Sequence, residues 1–270
     1  MVILILLVET HFAELLQKLL RVYVGYAEKQ IPANKFKQCG AQFQDIATET
    51  LLADKVLGGL PGVAFDKNGI FTSTAPQIQI VGSDGTPSKY WFLTDGYVGK
   101  VEGKKVYAPG WCDVGGNIVN LELDPGSGFW VKNGDIDDQN LQGSGQVAKA
   151  DYTEITVPAN IFSIQANVYP MDINMANEER VMFPDIVGVA FDKNGIFTST
   201  APQIQIVADD GTPSKYWYLT DGYVGKVEGK KVYAPGWCDV GGNIVDVDIP
   251  AQSGFWVKAA SGAFTVKYIR

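Results

Sequence analysis

The chain contains the same stretch twice. Val63-Ala64-Phe65-Asp66-Lys67-Asn68-Gly69-Ile70-Phe71 returns as Val189-Ala190-Phe191-Asp192-Lys193-Asn194-Gly195-Ile196-Phe197, and Phe129-Trp130-Val131-Lys132 returns as Phe255-Trp256-Val257-Lys258, both 126 residues later. Residues 63–132 and 189–258 agree at 60 of 70 positions, without insertion or deletion. A solenoid or propeller repeats roughly every 20–50 residues. A period of 126 is instead the size of a domain, so the chain builds one unit and then builds it again. Near-identity also follows from recent duplication, and does not by itself mark a site.

The unit is longer than its near-identical block. Ile31-Pro32-Ala33-Asn34-Lys35-Phe36 matches Val157-Pro158-Ala159-Asn160-Ile161-Phe162 at the same offset, and Tyr26 and Glu28 match Tyr152 and Glu154. Residues 40–61 and 166–187 diverge: Cys39-Gly40-Ala41-Gln42-Phe43 aligns with Gln165-Ala166-Asn167-Val168-Tyr169. Any difference in binding between the copies is expected there. Ahead of the first unit, Phe12, Leu15, Leu16, Leu19, Leu20 and Tyr23 follow the i, i+3, i+4 spacing of one helix face. The division expected is an amphipathic N-terminal helix at 1–25, a first repeat at 26–148 and a second at 149–270, with a linker of a few residues.

Inside the unit the period is two. In the second copy Phe162, Ile164, Ala166 and Val168 alternate with Ser163, Gln165 and Asn167, and Val245, Val247 and Ile249 alternate with Asp246 and Asp248. Such alternation marks half-buried strands. Asn194-Gly195 between apolar runs predicts a type I′ hairpin, and turns are expected at Asp210-Gly211, Asp221-Gly222 and Glu228-Gly229. About ten short strands at this spacing predict an all-β chain: two tandem antiparallel β-sandwich, or barrel-like, domains.

Composition narrows the function. A formal net charge of −8 disfavours nucleic acid and anionic lipid, which select basic surfaces. Three cysteines, Cys39, Cys112 and Cys238, with no CxxC motif, argue against a disulfide framework or zinc site. Val2 to Val8 is apolar but too short to span a bilayer, and lacks the basic flank and cleavage site of a signal peptide. Membrane contact beyond an N-terminal anchor is not expected. The only histidine, His11, lies outside the repeat, so neither copy can hold a Ser-His-Asp set. No P-loop, dinucleotide fingerprint or metal-ligand cluster is present, and no cofactor is expected. Asp66-Lys67-Asn68-Gly69 begins like a calcium loop but has no closing carboxylate. Cys112 lies beside Asp113, which would raise its thiol pKa, so a buried small hydrophobe is the expected role. The glycines of Gly110-Trp111-Cys112-Asp113-Val114-Gly115-Gly116 are expected to let the loop pass closely over Trp111.

What remains is aromatic. Tyr90, Trp91, Trp111, Trp130 and their copies Tyr216, Trp217, Trp237, Trp256 either fill cores or present ring faces on which a sugar could stack. Adjacent strand residues point to opposite faces, so one of Tyr90 and Trp91, and one of Phe129 and Trp130, is a candidate for exposure. The order of a Trp-Cys-Asp loop, an alternating strand, Ser-Gly-Phe-Trp-Val-Lys, a last strand and then Pro-Ala-Asn-Xaa-Phe resembles uncharacterised tandem β-sandwich repeat domains of secreted bacterial surface proteins. The resemblance covers roughly residues 31–258. It implies an extracellular β-sandwich without catalytic residues. The functional expectation is a non-enzymatic surface, adhesive or filament-forming subunit, secreted or at the cell surface. It would self-associate through its C-terminal strand at 264–269 or its N-terminal segment. The alternatives are a tandem carbohydrate-binding module holding a polysaccharide and, last, an enzyme.

Overall fold

The computed structural model describes residues 24–46, 52–82, 84–134, 137–208 and 211–270. The N-terminal helix expected at 1–25 falls on residues 1–23, outside the described residues, and residues 24 and 25 already belong to a strand. The described chain is all-β, built of antiparallel sheets.

The first repeat runs β1 (Val24–Ile31), β2 (Phe36–Gly40), α1 (Ala53–Val56), β3 (Leu57–Gly58), α2 (Phe71–Thr74), β4 (Gln77–Val81), β5 (Pro87–Val101), β6 (Lys104–Cys112), β7 (Gly128–Lys132) and β8 (Gln139–Gln146). The second runs β9 (Tyr152–Val157), β10 (Phe162–Ala166), β11 (Ile173–Asn174), β12 (Val181–Met182), α3 (Phe197–Thr200), β13 (Gln203–Val207), β14 (Pro213–Val227), β15 (Lys230–Cys238), β16 (Asp248–Ile249), β17 (Gly254–Lys258) and β18 (Phe264–Ile269). Each repeat holds a five-stranded sheet, ordered β2-β7-β4-β5-β6 and β10-β17-β13-β14-β15, and a three-stranded one, β1-β8-β3 and β12-β18-β9.

Alternation along β5 explains how the five-stranded sheet is covered. Tyr90 and Phe92 pack into a core with Ile31, Phe129, Val131 and Leu141, which come from both sheets. Trp91 and Leu93 point the other way, into a second core with Phe71, Ala75 and Cys112. The second repeat reproduces that core with Phe197, Ala201, Trp217, Leu219 and Cys238. A sheet apolar on both faces must be covered on both. Residues 63–75, including α2, supply the second cover.

Two turn expectations change. Asn194-Gly195, like its counterpart Asn68-Gly69, makes a turn but no hairpin. Asn68 N–H donates to Asp66 Oδ1 at 2.7 Å, Gly69 N–H donates to the Asp66 carbonyl at 2.9 Å, and α2 follows. Of the pair only Gly69 has positive φ, 77°, whereas a type I′ turn needs two such residues. The I′ signature sits at Glu102-Gly103 (49° and 78°) and Glu228-Gly229 (51° and 78°), which join β5 to β6 and β14 to β15. Asp95-Gly96 and Asp221-Gly222 are not turns at all. Both lie inside fifteen-residue strands, at a register shift. A Cβ on Gly96 would run into Cys112 Sγ and come within 2.7 Å of Ile118 Cγ1, so glycine lets the strand cross the thiol. Residues 243–249 form bridges at Asn243 and Ile244 and a two-residue strand, not one ladder, although Val247 and Ile249 are buried and Asp246 and Asp248 exposed. The glycine of the Trp-Cys-Asp loop that makes the close approach, Gly116, lies over Phe65 rather than Trp111.

The repeats are not beads in a row. Gly40 N–H donates to the Gln252 carbonyl at 2.9 Å, and Ala166 N–H donates to the Gly126 carbonyl at 2.8 Å. Adding 126 to the first donor and subtracting 126 from the first acceptor gives the second bond. Trp130 and Trp256, also 126 apart, meet with centroids 6.4 Å apart. Each is met edge-on by its own repeat's Phe36 or Phe162. This is the pattern of a two-fold interface, here within one chain.

The mating is not fully symmetric. Gln42 is 1% exposed. Its Nε2 donates to the carbonyls of Asn167 (3.1 Å) and Tyr169 (2.9 Å), and its Oε1 accepts from Gln252 N–H (3.1 Å). The residue at its place in the second repeat is Val168. Phe43, Val56 and Val147 of the first repeat join the core of the second.

Candidate functional site

The structure separates the eight candidate aromatics into three groups. Trp91 and Trp217 are 7% exposed, and their indole N–H groups donate to the carbonyls of Thr72 (3.2 Å) and Thr198 (3.1 Å). They anchor the loop and short helix over the sheet and offer no open ring face. Tyr90 and Tyr216 are half-buried against the opposite core, so neither member of the Tyr-Trp pair is fully exposed.

Trp111 and Trp237 are each 3% exposed. Trp111 is met edge-on by Phe92 at 5.3 Å. Trp237 is met by Tyr218 and by Phe183, each at 5.4 Å. Trp237 lines a pocket of about 320 Å³.

Trp130 and Trp256 are half-buried at the boundary between repeats. Trp256 lines an open cleft of about 430 Å³ with Phe162, Asn160, Gln79 and Asp84. Asp84 accepts from the Thr86 N–H (2.8 Å) and hydroxyl (3.0 Å), which hold its carboxyl below the usual range. At neutral pH the cleft therefore combines an aromatic face with a carboxylate and two amides.

On another part of the boundary, a cleft of about 400 Å³ is lined by Lys29, Lys37, Gln38, Val207 and Ser253. Lys29 Nζ donates to Ser253 Oγ at 2.6 Å. Burial lowers the pKa of both lysines, and for Lys37 the charge of Lys29 adds to it. The pseudo-two-fold mates of Lys29, Lys37 and Gln38 are Ile155, Ser163 and Ile164, so the two sides of the boundary differ in chemistry.

Sequence reasoning missed a further surface. Past Gly96, β5 pairs along its ladder with β6 alone, and the two make a ribbon capped by Glu102-Gly103. Val98, Val101 and Tyr107 on it are 55%, 63% and 53% exposed. Lys105 lies over the Tyr97 ring at 5.9 Å. The second repeat carries the same ribbon with Val224, Val227, Tyr233 and Lys231. The signal was present as β-forming residues on both sides of Asp95-Gly96, but that dipeptide also reads as a turn.

The Trp-Cys-Asp loop is closed by its own aspartate. Asp113 Oδ1 accepts from Gly115 N–H and Asn117 N–H, each at 2.9 Å, and Asn117 Nδ2 donates to both carboxylate oxygens. The Cys112 thiol is pushed up to about 11 by burial, then by Asp113 and Asp95, and Cys238 repeats this beside Asp239 and Asp221. Burial raises Cys39 to about 11 as well. Protonated thiols are weak nucleophiles at neutral pH. Among the described residues no helix is long and apolar enough to cross a membrane, and no three His, Cys, Asp or Glu side chains gather as metal ligands would. Comparison of the chain with protein-family models, curated proteins and solved structures returned no match.

Proposed function

We propose that this chain is a non-enzymatic structural protein, secreted or displayed at a cell surface, whose two β-sandwich repeats act as one pseudo-two-fold unit. It adheres to or assembles with further copies through its paired ribbons. The observation that carries this reading is the ribbon itself. Each presents exposed Val and Tyr side chains, with three lysines, Lys100, Lys104 and Lys105 or Lys226, Lys230 and Lys231, against a single glutamate. The whole chain is at −8, so the surface outside the ribbons is more acidic still. A cationic apolar projection suits the acidic surface of a second copy, and two of them per chain permit chains of contacts rather than a closed pair. The C-terminal strand is not the route: β18 is paired on both sides, with β9 and β12, inside its own repeat.

Sedimentation velocity and electron microscopy test the reading. Wild type is expected to form larger species with rising concentration and to lose them in ~1 M salt, where screening shortens to about 3 Å. Tyr107→Ser with Tyr233→Ser should abolish them, and either change alone should reduce their size. Monodisperse single chains at high concentration and low salt would sink the proposal.

A second reading, a carbohydrate-binding module, is favoured by the boundary cleft of Trp256, Phe162, Asn160 and Asp84. Retention on insoluble polysaccharides that disappears in Trp256→Ala would support it, and no retention on any would dismiss it. Trp91→Ala and Trp217→Ala are unsuitable probes, since both rings are core.

A further inference from the structure

From the second repeat alone we infer a binding site for a compact neutral aromatic molecule carrying a hydrogen-bond acceptor. The site is the pocket of about 320 Å³ lined by Met175, Glu178, Met182, Phe183, Tyr218 and Trp237, within the usual size of small-molecule sites. Three independent observations point to a ligand.

The first is that one framework is open in one copy and closed in the other. At the matching place in the first repeat, Leu57 and Leu60 pack against Phe92, Trp111 and Leu141 and leave about 20 Å³. The divergent segment decides this. It folds into α1 and β3 in the first repeat, and into β11 and β12 in the second, which carry the chain around the pocket. The second observation lies in the near-identical block. Phe92 becomes Tyr218 at the pocket wall, the only difference between residues 84–119 and their copies. That adds a hydroxyl where the pocket is open. Among the described residues it makes no hydrogen bond, and burial, then the charge of Glu178, disfavours its ionisation. The third is the Trp237 indole N–H on the same wall, which among the described residues is buried without an acceptor. An unmatched buried donor needs an explanation, and a ligand that parts this wall supplies the acceptor.

Two donors among Met and aromatic side chains select a ring with a carbonyl. Glu178 disfavours an anion. Met175 and Met182 give walls that adapt to the ligand's outline.

Acetophenone is the probe, titrated into the full chain with its six tryptophans ¹⁵N-labelled at the indole. Trp237 is assigned by the resonance lost in Trp237→Phe. Saturable movement of that resonance is expected below ~10 mM, with Trp111 unmoved. Tyr218→Phe, which restores the residue of the first repeat, should weaken binding roughly fivefold, as the loss of one neutral hydrogen bond does. Toluene, which has no acceptor, and benzoate, which is charged, should bind more weakly. No movement of Trp237 in a protein with native dispersion overturns the inference. So do equal movements of Trp111 and Trp237, which would mean unspecific partitioning. Unchanged affinity in Tyr218→Phe overturns the role of its hydroxyl. Ala176→Leu, at an exposed position on the pocket wall, provides a second variant that should block the probe without touching the aromatic set.

Discussion

At the residue scale, the sites that matter most are those where a small side chain is enforced by a neighbour. Gly96 and Gly222 cross directly over Cys112 and Cys238. Gly96→Ala is expected to cost about 1–3 kcal/mol by overpacking, read as a lower urea midpoint at unchanged slope. The thiols give a pH dependence of known sign. Their native pKa values of about 11 lie above the ordinary 9.0. Between these values the unfolded chain releases thiol protons that the folded chain keeps. Their contribution is therefore complete below about pH 9 and is lost as pH rises towards 11. Urea titrations at pH 8 and pH 10.5 should show this loss, and Cys112→Ala with Cys238→Ala should reduce it to the share of Cys39. Trp91 shows why single residues were hard to place from the sequence. Period two said that Trp91 and Tyr90 face opposite ways, which they do. It could not say that residues 63–75 fold back to cover the outer face.

At the element scale, the longest strands exist because Asp95-Gly96 and Asp221-Gly222 act as bulges. The same dipeptide can turn a chain or bulge a strand, and the choice rests on what pairs beyond it. Here the β-forming run from Tyr97 stays paired with β6 through a second register shift at Gly99, and the Asp95 carboxylate accepts from Phe65 N–H at 2.6 Å instead of closing a turn. The true hairpin carries Glu at a left-handed position, 49° at Glu102 and 51° at Glu228. A left-handed conformation costs an L-residue about 1–2 kcal/mol and Asn less. Glu102→Asn is therefore expected to raise stability by about 0.5 kcal/mol, seen as a small increase in Tm.

At the scale of the whole molecule, the second repeat is docked on the first by a two-fold that unlike residues break at several places. Gly40 faces Ala166, and a Cβ on Gly40 would collide with that of Ala166. Two identical second repeats would place alanine against alanine there, so the pairing of unlike copies is built into the sequence. Gly40→Ala should lower stability, as should Gln42→Ala. The latter leaves the Asn167 carbonyl and the Gln252 N–H without their partner in a buried place, and the Tyr169 carbonyl with the Met171 N–H alone, at a cost of about 2–4 kcal/mol. Chemical denaturation followed by tryptophan fluorescence checks both. A second transition appearing in either variant would show the repeats unfolding separately.

The sequence by itself determined that the chain repeats, that each copy is β-rich, and which segment sets the copies apart. Those properties are local: strand alternation, turn-forming glycines and a fixed offset are written residue by residue. Only the tertiary structure decided that the divergent segments partly owe their differences to facing each other. Gly40 and Gln42 answer Ala166 and the carbonyls of Asn167 and Tyr169, partners about 125 residues away in the chain. It also decided that Trp91 is core, that Trp256 sits at a boundary and that Trp237 borders a pocket. Burial depends on what covers a face, and the covering groups come from segments whose alternation is silent about their destination.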